Sequence, residues 1–197
     1  MFNTRLTGQE LAFIAVSSSI WIAAQIALGP LIGRFSIGPV SMHGAVNHVI
    51  GWFLMVVTAS LLGRFGMVSI MAIVASIGTR IIRVSTLEGM LVGLGYMCAG
   101  VLFDGLFFGL RLNTLKHQDP RLSCLIIFIA ASSGMVSLLP YLLFRLYALG
   151  LLALTALAPF FILSIVKNMF FSSFGAYMAL LALPRVTSLH KQQARDN

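Results

Sequence analysis

Few residues in this chain are equipped for bond-making chemistry, and those few are scattered. Its five carboxylates are Glu10, Glu88, Asp104, Asp119 and Asp196, and its four histidines are His43, His48, His117 and His190. No two acids stand close enough in sequence to read as the paired carboxylates of general acid–base work or of a divalent-metal site. HExxH, GxSxG and a P-loop of the form GxxxxGK followed by Ser or Thr are all missing, so the usual sequence marks of zinc proteolysis, acyl transfer and ATP hydrolysis are absent. If ATP powers anything here, a partner must supply its hydrolysis. Cys98 and Cys124 both sit in apolar runs and read as small buried hydrophobes, not as a disulfide or a metal pair. The residues therefore predict a protein that is not an enzyme and needs no cofactor or metal.

What remains is a set of polar side chains embedded in apolar sequence, chiefly Asn47, His48, Arg80, Glu88, Lys167 and Asn168. An ionisable group at the centre of a bilayer is costly, so such residues tend to line cavities or pathways. Their chemistry is that of binding. Cations suit an anionic or carbonyl group, Glu88 suits ring or hydroxyl donors, and the asparagines fix orientation.

The elements that must position them are membrane spans. Hydrophobic residues make up 59% of the 197 and charged residues 9%, with a mean hydropathy of +0.98, where soluble domains carry about 25% charged residues. Apolar runs extend from about 11 to 33, 44 to 63, 66 to 82 and 90 to 110, and the first is too long for a removable signal peptide and ends without a small-residue cleavage pattern. A polar connection, Asn113 to Arg121, follows, and the chain then stays apolar nearly to Pro184. That stretch holds either two helices with an apolar loop between them or three short ones. With two, there are six spans and both ends share a side. Eight cations (Arg5, Arg64, Arg111, Lys116, Arg121, Arg185, Lys191 and Arg195) then face four (Arg34, Arg80, Arg83 and Arg145), in the sense of the positive-inside rule. A seventh span reverses the balance to five against seven. The expected fold is therefore all-α, a six-helix membrane bundle over residues 1–188 with both termini cytoplasmic. Residues 189–197 form a short polar tail, and the basic balance orients the chain instead of binding nucleic acid.

This topology sorts the embedded polar residues by depth. Asn47 and His48 fall at the outer end of the second span, Thr79, Arg80 and Arg83 at the outer end of the third, and Glu88 just before the fourth. Tyr141 and Arg145 close the fifth, and Lys167 and Asn168 lie about two turns into the sixth. All belong to one half of the membrane, which predicts an outward-opening pocket. Asp104 lies deeper, and either a structural or a functional role fits it. Arg80, Arg83 and Arg145 also fit simple snorkelling to the outer headgroups. In the first span, Ala15, Ser19 and Ala23 repeat every four residues, a strip of small side chains that lets another helix approach closely in lipid.

The layout resembles the substrate-binding S components of energy-coupling factor (ECF) transporters, nearest to their thiamine-related branch. The strip in AVSSSIWIA is similar to that family's AxxxA docking strip, with serine at the middle position. STLEGMLVGLGYMCAGVLFDGLFF resembles its turn, glycine-containing helix and nearby acid, Gly100 and Asp104 matching a Gly-x-x-x-acid spacing. ILSIVKNMFFSSFGAYMALL resembles its cation followed by small residues, on Lys167 and then Ser172, Ser173, Gly175 and Ala176. The resemblance implies an outward pocket for a small vitamin or vitamin precursor, a transmembrane coupling subunit docked on Ala15, Ser19 and Ala23, ATPase subunits beneath it, and a multi-pass place in the cell membrane. Trp52, Tyr96 and Tyr141 are the aromatic residues able to stack on a ring. The outer half holds more cations than acids, which suits a neutral or anionic ligand better than a cationic one. The alternative expectation is a small structural or assembly-factor membrane protein without a ligand.

Overall fold

The computed structural model describes residues 6–37, 40–42, 44–82, 86–112 and 120–193. Arg5, Arg83, Lys116 and Arg195, four of the cations counted above, lie outside the described residues, as does the end of the tail. The helices are α1 Gly8–Ala27, α2 Gly29–Ile32, α3 Ala45–Leu62, α4 Met67–Ile82, α5 Leu87–Gly109, α6 Pro120–Val136 and α7 Leu139–Gln193. Between α2 and α3 lies a small antiparallel hairpin, β1 Ser36–Ile37 and β2 Val40–Ser41, pairing Ser36 with Ser41 and Ile37 with Val40.

Local chemistry sets the boundaries. Thr7 and Glu10 form a reciprocal cap at the start of α1: the Glu10 N–H donates to Thr7 Oγ1 (3.2 Å) and the Thr7 N–H donates to the Glu10 carboxylate (2.8 Å). Gly63 ends α3 in the left-handed conformation (φ 60°) that favours glycine. Thr86 caps α5 by accepting from the Gly89 N–H, so that helix starts earlier than the apolar run suggests and takes in Glu88. Pro140 stands in the first turn of α7, where a missing N–H costs nothing.

Within α7 the helical path breaks at Gly150, whose φ of 77° and ψ of 170° are open essentially to glycine alone. That break settles the ambiguous C-terminal half as two spans with helix on both sides of the bend. Five stretches are long and apolar enough to cross a membrane: Gly8–Ile32, Ala45–Leu62, Leu87–Gly109, Arg121–Leu151 and Thr155–Pro184. Helix α4 is a shorter apolar one. The chain is an all-α bundle of a multi-pass membrane protein, and the helix of its last span runs on to Gln193, into the polar tail.

Helix α7 packs on α3 and α6, α4 on α5, and α1 on both α3 and α4. With lipid outside there is no hydrophobic drive to hold apolar helices together, so close packing must do it. Small residues permit that closeness. Gly100 lies against the Ala72 methyl, Gly95 against the Ser137 carbonyl and Gly175 against the Val49 carbonyl. Trp21, Trp52, Met55, Met71, Phe103 and Phe107 fill the interior.

One end of the bundle is fastened by charge. The Arg64 guanidinium donates to both Glu10 carboxylate oxygens (2.8 and 2.7 Å), tying the end of α3 to the start of α1. Beside it, Asp104 Oδ2 accepts from the Gly66 N–H (2.8 Å), the Ser69 N–H (3.1 Å) and the Ser69 hydroxyl (2.8 Å). Asp104 Oδ2 thus caps the α4 N-terminus, while Asp104 Oδ1 is buried without a hydrogen-bond partner.

Candidate functional site

At the other end, five helices deliver polar side chains to one cavity. Gln25 comes from α1, Asn47 and His48 from α3, Thr79 and Arg80 from α4, Tyr96 from α5, and Lys167 and Asn168 from α7. Ser137, in the turn between α6 and α7, completes the wall, and the cavity measures about 140 Å³.

Each element presents these residues for a local reason. Gly44 takes a φ of 86° directly before α3, so the chain turns from the β hairpin into the helix beside the Tyr96 hydroxyl. This puts Asn47 and His48 in the first turn of α3, both buried. Four residues on, Trp52 lies under His48 with ring centroids 4.5 Å apart and planes 15° from parallel. Tyr96 leans on both rings, and Trp21 meets its edge. The indole of Trp21 occupies the space where Gly51 has no side chain.

Hydrogen bonds fix the walls. His48 Nδ1 lies 2.8 Å from Ser172 Oγ. The Trp52 Nε1–H donates to Ser133 Oγ (2.6 Å), whose hydroxyl donates to the Ala130 carbonyl (3.0 Å). Asn168 Nδ2 donates to Ser137 Oγ (3.3 Å), and the Ser137 hydroxyl donates to the Gly134 carbonyl (2.6 Å). Thr79 turns its hydroxyl back onto the Ala75 carbonyl (2.7 Å), the usual way a helical threonine is satisfied.

Two amide atoms in this wall are left over. Gln25 Nε2 and Asn47 Oδ1 are buried without a hydrogen-bond partner, on side chains exposed by only 3% and 8%. An unmet buried polar group costs about 1–3 kcal/mol. A ligand presenting an acceptor to Gln25 and a donor to Asn47 removes both costs.

The six residues singled out as binding candidates divide five to one. Asn47, His48, Arg80, Lys167 and Asn168 line the cavity, and Glu88 does not. Glu88 stands in the first turn of α5, half exposed, paired with Arg145. The Arg145 Nε–H donates to the Tyr141 hydroxyl (2.9 Å), and its guanidinium lies over the Tyr141 ring. Tyr141 and Arg145, like Glu88, do not line the cavity. Lys167 lies in the helix beyond the Gly150 bend and reaches the cavity together with Asn168.

Arg80 does more than snorkel. Its side chain crosses Gly93 of α5, where a Cβ would meet the guanidinium Nε at 2.9 Å, and it lines the cavity on one side and an apolar groove between α4 and α5 on the other. Gln25 and Ser137 were missed from sequence. Gln25 is an isolated amide four residues after Trp21, on the face of α1 that also buries Ser17, Ser18 and Trp21, and that spacing was its available signal. The opposite face of α1 leaves Ala15, Ser19 and Ala23 exposed.

Among the described residues no group of three His, Cys, Asp or Glu side chains is arranged to hold a metal. No protein family, no curated protein and no solved structure matches the chain.

Proposed function

We propose that this protein is a membrane receptor subunit for a small water-soluble vitamin or vitamin precursor, acting in the manner of an ECF-transporter S component. The observation that carries the reading is the pair of buried, unpartnered amide atoms of Gln25 and Asn47 in a polar cavity built by five helices. A bundle that served only as scaffold would gain by replacing them with apolar groups, since helices in lipid need no buried amide for cohesion. In this reading the cavity end faces outward and the end fastened by Glu10, Arg64 and Asp104 faces the cytoplasm of the cell membrane. The exposed strip of Ala15, Ser19 and Ala23 is the seat of a transmembrane coupling subunit, and ATPase subunits supply the energy this chain has no motif to harvest.

The test is native mass spectrometry of the purified full-length protein, followed by thermal unfolding against a vitamin panel. A copurified small molecule, or a raised unfolding midpoint with one compound, is expected. Lys167→Ala should abolish that response while the protein still inserts and unfolds cooperatively. A protein that is reproducibly empty and unresponsive to the whole panel overturns the reading.

A further inference from the structure

The cavity wall is one-sided in charge. Arg80 and Lys167 both line it, and among the described residues no Asp or Glu does. Glu88, one turn before the cavity-lining Val92 on α5, is paired with Arg145. In surroundings of low dielectric, two cations beside one small space favour an anion between them, and a planar guanidinium matches a carboxylate through two parallel hydrogen bonds.

Size and shape narrow the ligand further. The cavity holds about 140 Å³, and a protein cavity of roughly 150 Å³ is known to accept benzene. One six-membered ring with a small substituent is of that size, and a fused bicycle is larger. The wall is also flat and aromatic on one flank, where His48 is backed by Trp52 and Tyr96 leans in. A bare inorganic anion would use the cations and leave that flank unmatched.

We infer that the cavity selects a single-ring aromatic or heteroaromatic acid, its carboxylate held by Arg80 and Lys167 and its ring set against His48 and Tyr96. The inference rests on the ligand-capture reading and narrows it to one chemical class. Gln25 Nε2 donates to the carboxylate or to a ring nitrogen, and Asn47 Oδ1 accepts from a ring N–H or hydroxyl.

The experiment uses the full-length protein in lipid nanodiscs, with binding measured by calorimetry. The probes are pyridine-3-carboxylate, benzoate, uncharged pyridine-3-carboxamide, cationic N-methylpyridinium and bicyclic quinoline-3-carboxylate. The single-ring acids are expected to bind, and the carboxamide to bind at least about 30-fold more weakly, the worth of one charge-assisted contact. The cation should not bind measurably, and the bicycle should bind more weakly than the single-ring acids. Lys167→Gln should erase the preference for acid over amide, and Arg80→Gln should do the same. Where either variant fails to fold, the acid-to-amide ratio of the unmodified protein decides alone. Equal or tighter binding of the amide, the cation or the bicycle overturns this inference and leaves the capture reading standing. Silence towards every probe, in a protein that carries no copurified molecule and ignores the vitamin panel, overturns both.

Discussion

Asp104 and Lys167 are both ionisable residues inside apolar helices, and the structure gives them opposite tasks. Asp104 is spent on backbone, holding the first N–H groups of α4 at the fastened end. Removing its carboxylate strands those donors, so Asp104→Ala should lower stability by about 2 kcal/mol. Unfolding in detergent would show this as a reduced midpoint, with ligand affinity of the folded fraction unchanged. Lys167 instead joins a cavity wall. At this scale, charged and amide side chains that interrupt a greasy run marked five of the cavity-lining residues, Asn47, His48, Arg80, Lys167 and Asn168. Sequence was uninformative for hydroxyls such as Ser137, because serine in a helix is routinely satisfied by its own backbone. Gln25 was hidden for a different reason: the most conspicuous pattern in α1 lies on the opposite face. Glu88 shows the limit of reasoning from depth, which fixes a level along the bundle but not a direction around the helix.

At the scale of elements, α3 and α4 fall within a residue or so of their apolar runs because glycines and charges bracket them closely. The C-terminal half gave no such brackets. Its bend depends on one glycine among leucines and alanines, and nothing in the residue type at Gly150 announces its φ of 77° and ψ of 170°. Gly150→Ala should therefore cost about 1–3 kcal/mol by forcing a side chain into a conformation it rarely adopts. Gly105→Ala is the matched control, since that helical glycine has open space around its missing Cβ. Thermal unfolding of the two variants should separate them, the first falling below the unmodified protein and the second staying level or rising.

For the whole molecule, composition alone announced a membrane protein, and the balance of cations selected an even number of crossings. What no count could supply was the rotation of each helix, which decides that five polar faces converge. The exposure of Ala15, Ser19 and Ala23 is another product of that rotation, and in the proposed reading it sets the docking strip on the face of α1 opposite Gln25. Ser19→Trp should leave ligand affinity intact while preventing copurification with the coupling and ATPase subunits of a co-expressed ECF module. The helices also differ in length more than a single bilayer can match. Helix α4, with Ile70, Val74, Ile77 and Ile81 exposed on its outer face, has 16 residues and spans about 24 Å, while the last apolar stretch, Thr155–Pro184, has 30 residues and reaches about 45 Å. A hydrocarbon layer of about 30 Å is too thick for one flank and too thin for the other. Lipid around this protein is therefore compressed on one side and stretched, or met by helix tilt, on the other. The elastic energy stored in that uneven collar changes whenever the molecule leans, which makes acyl-chain length a control on its orientation in the membrane.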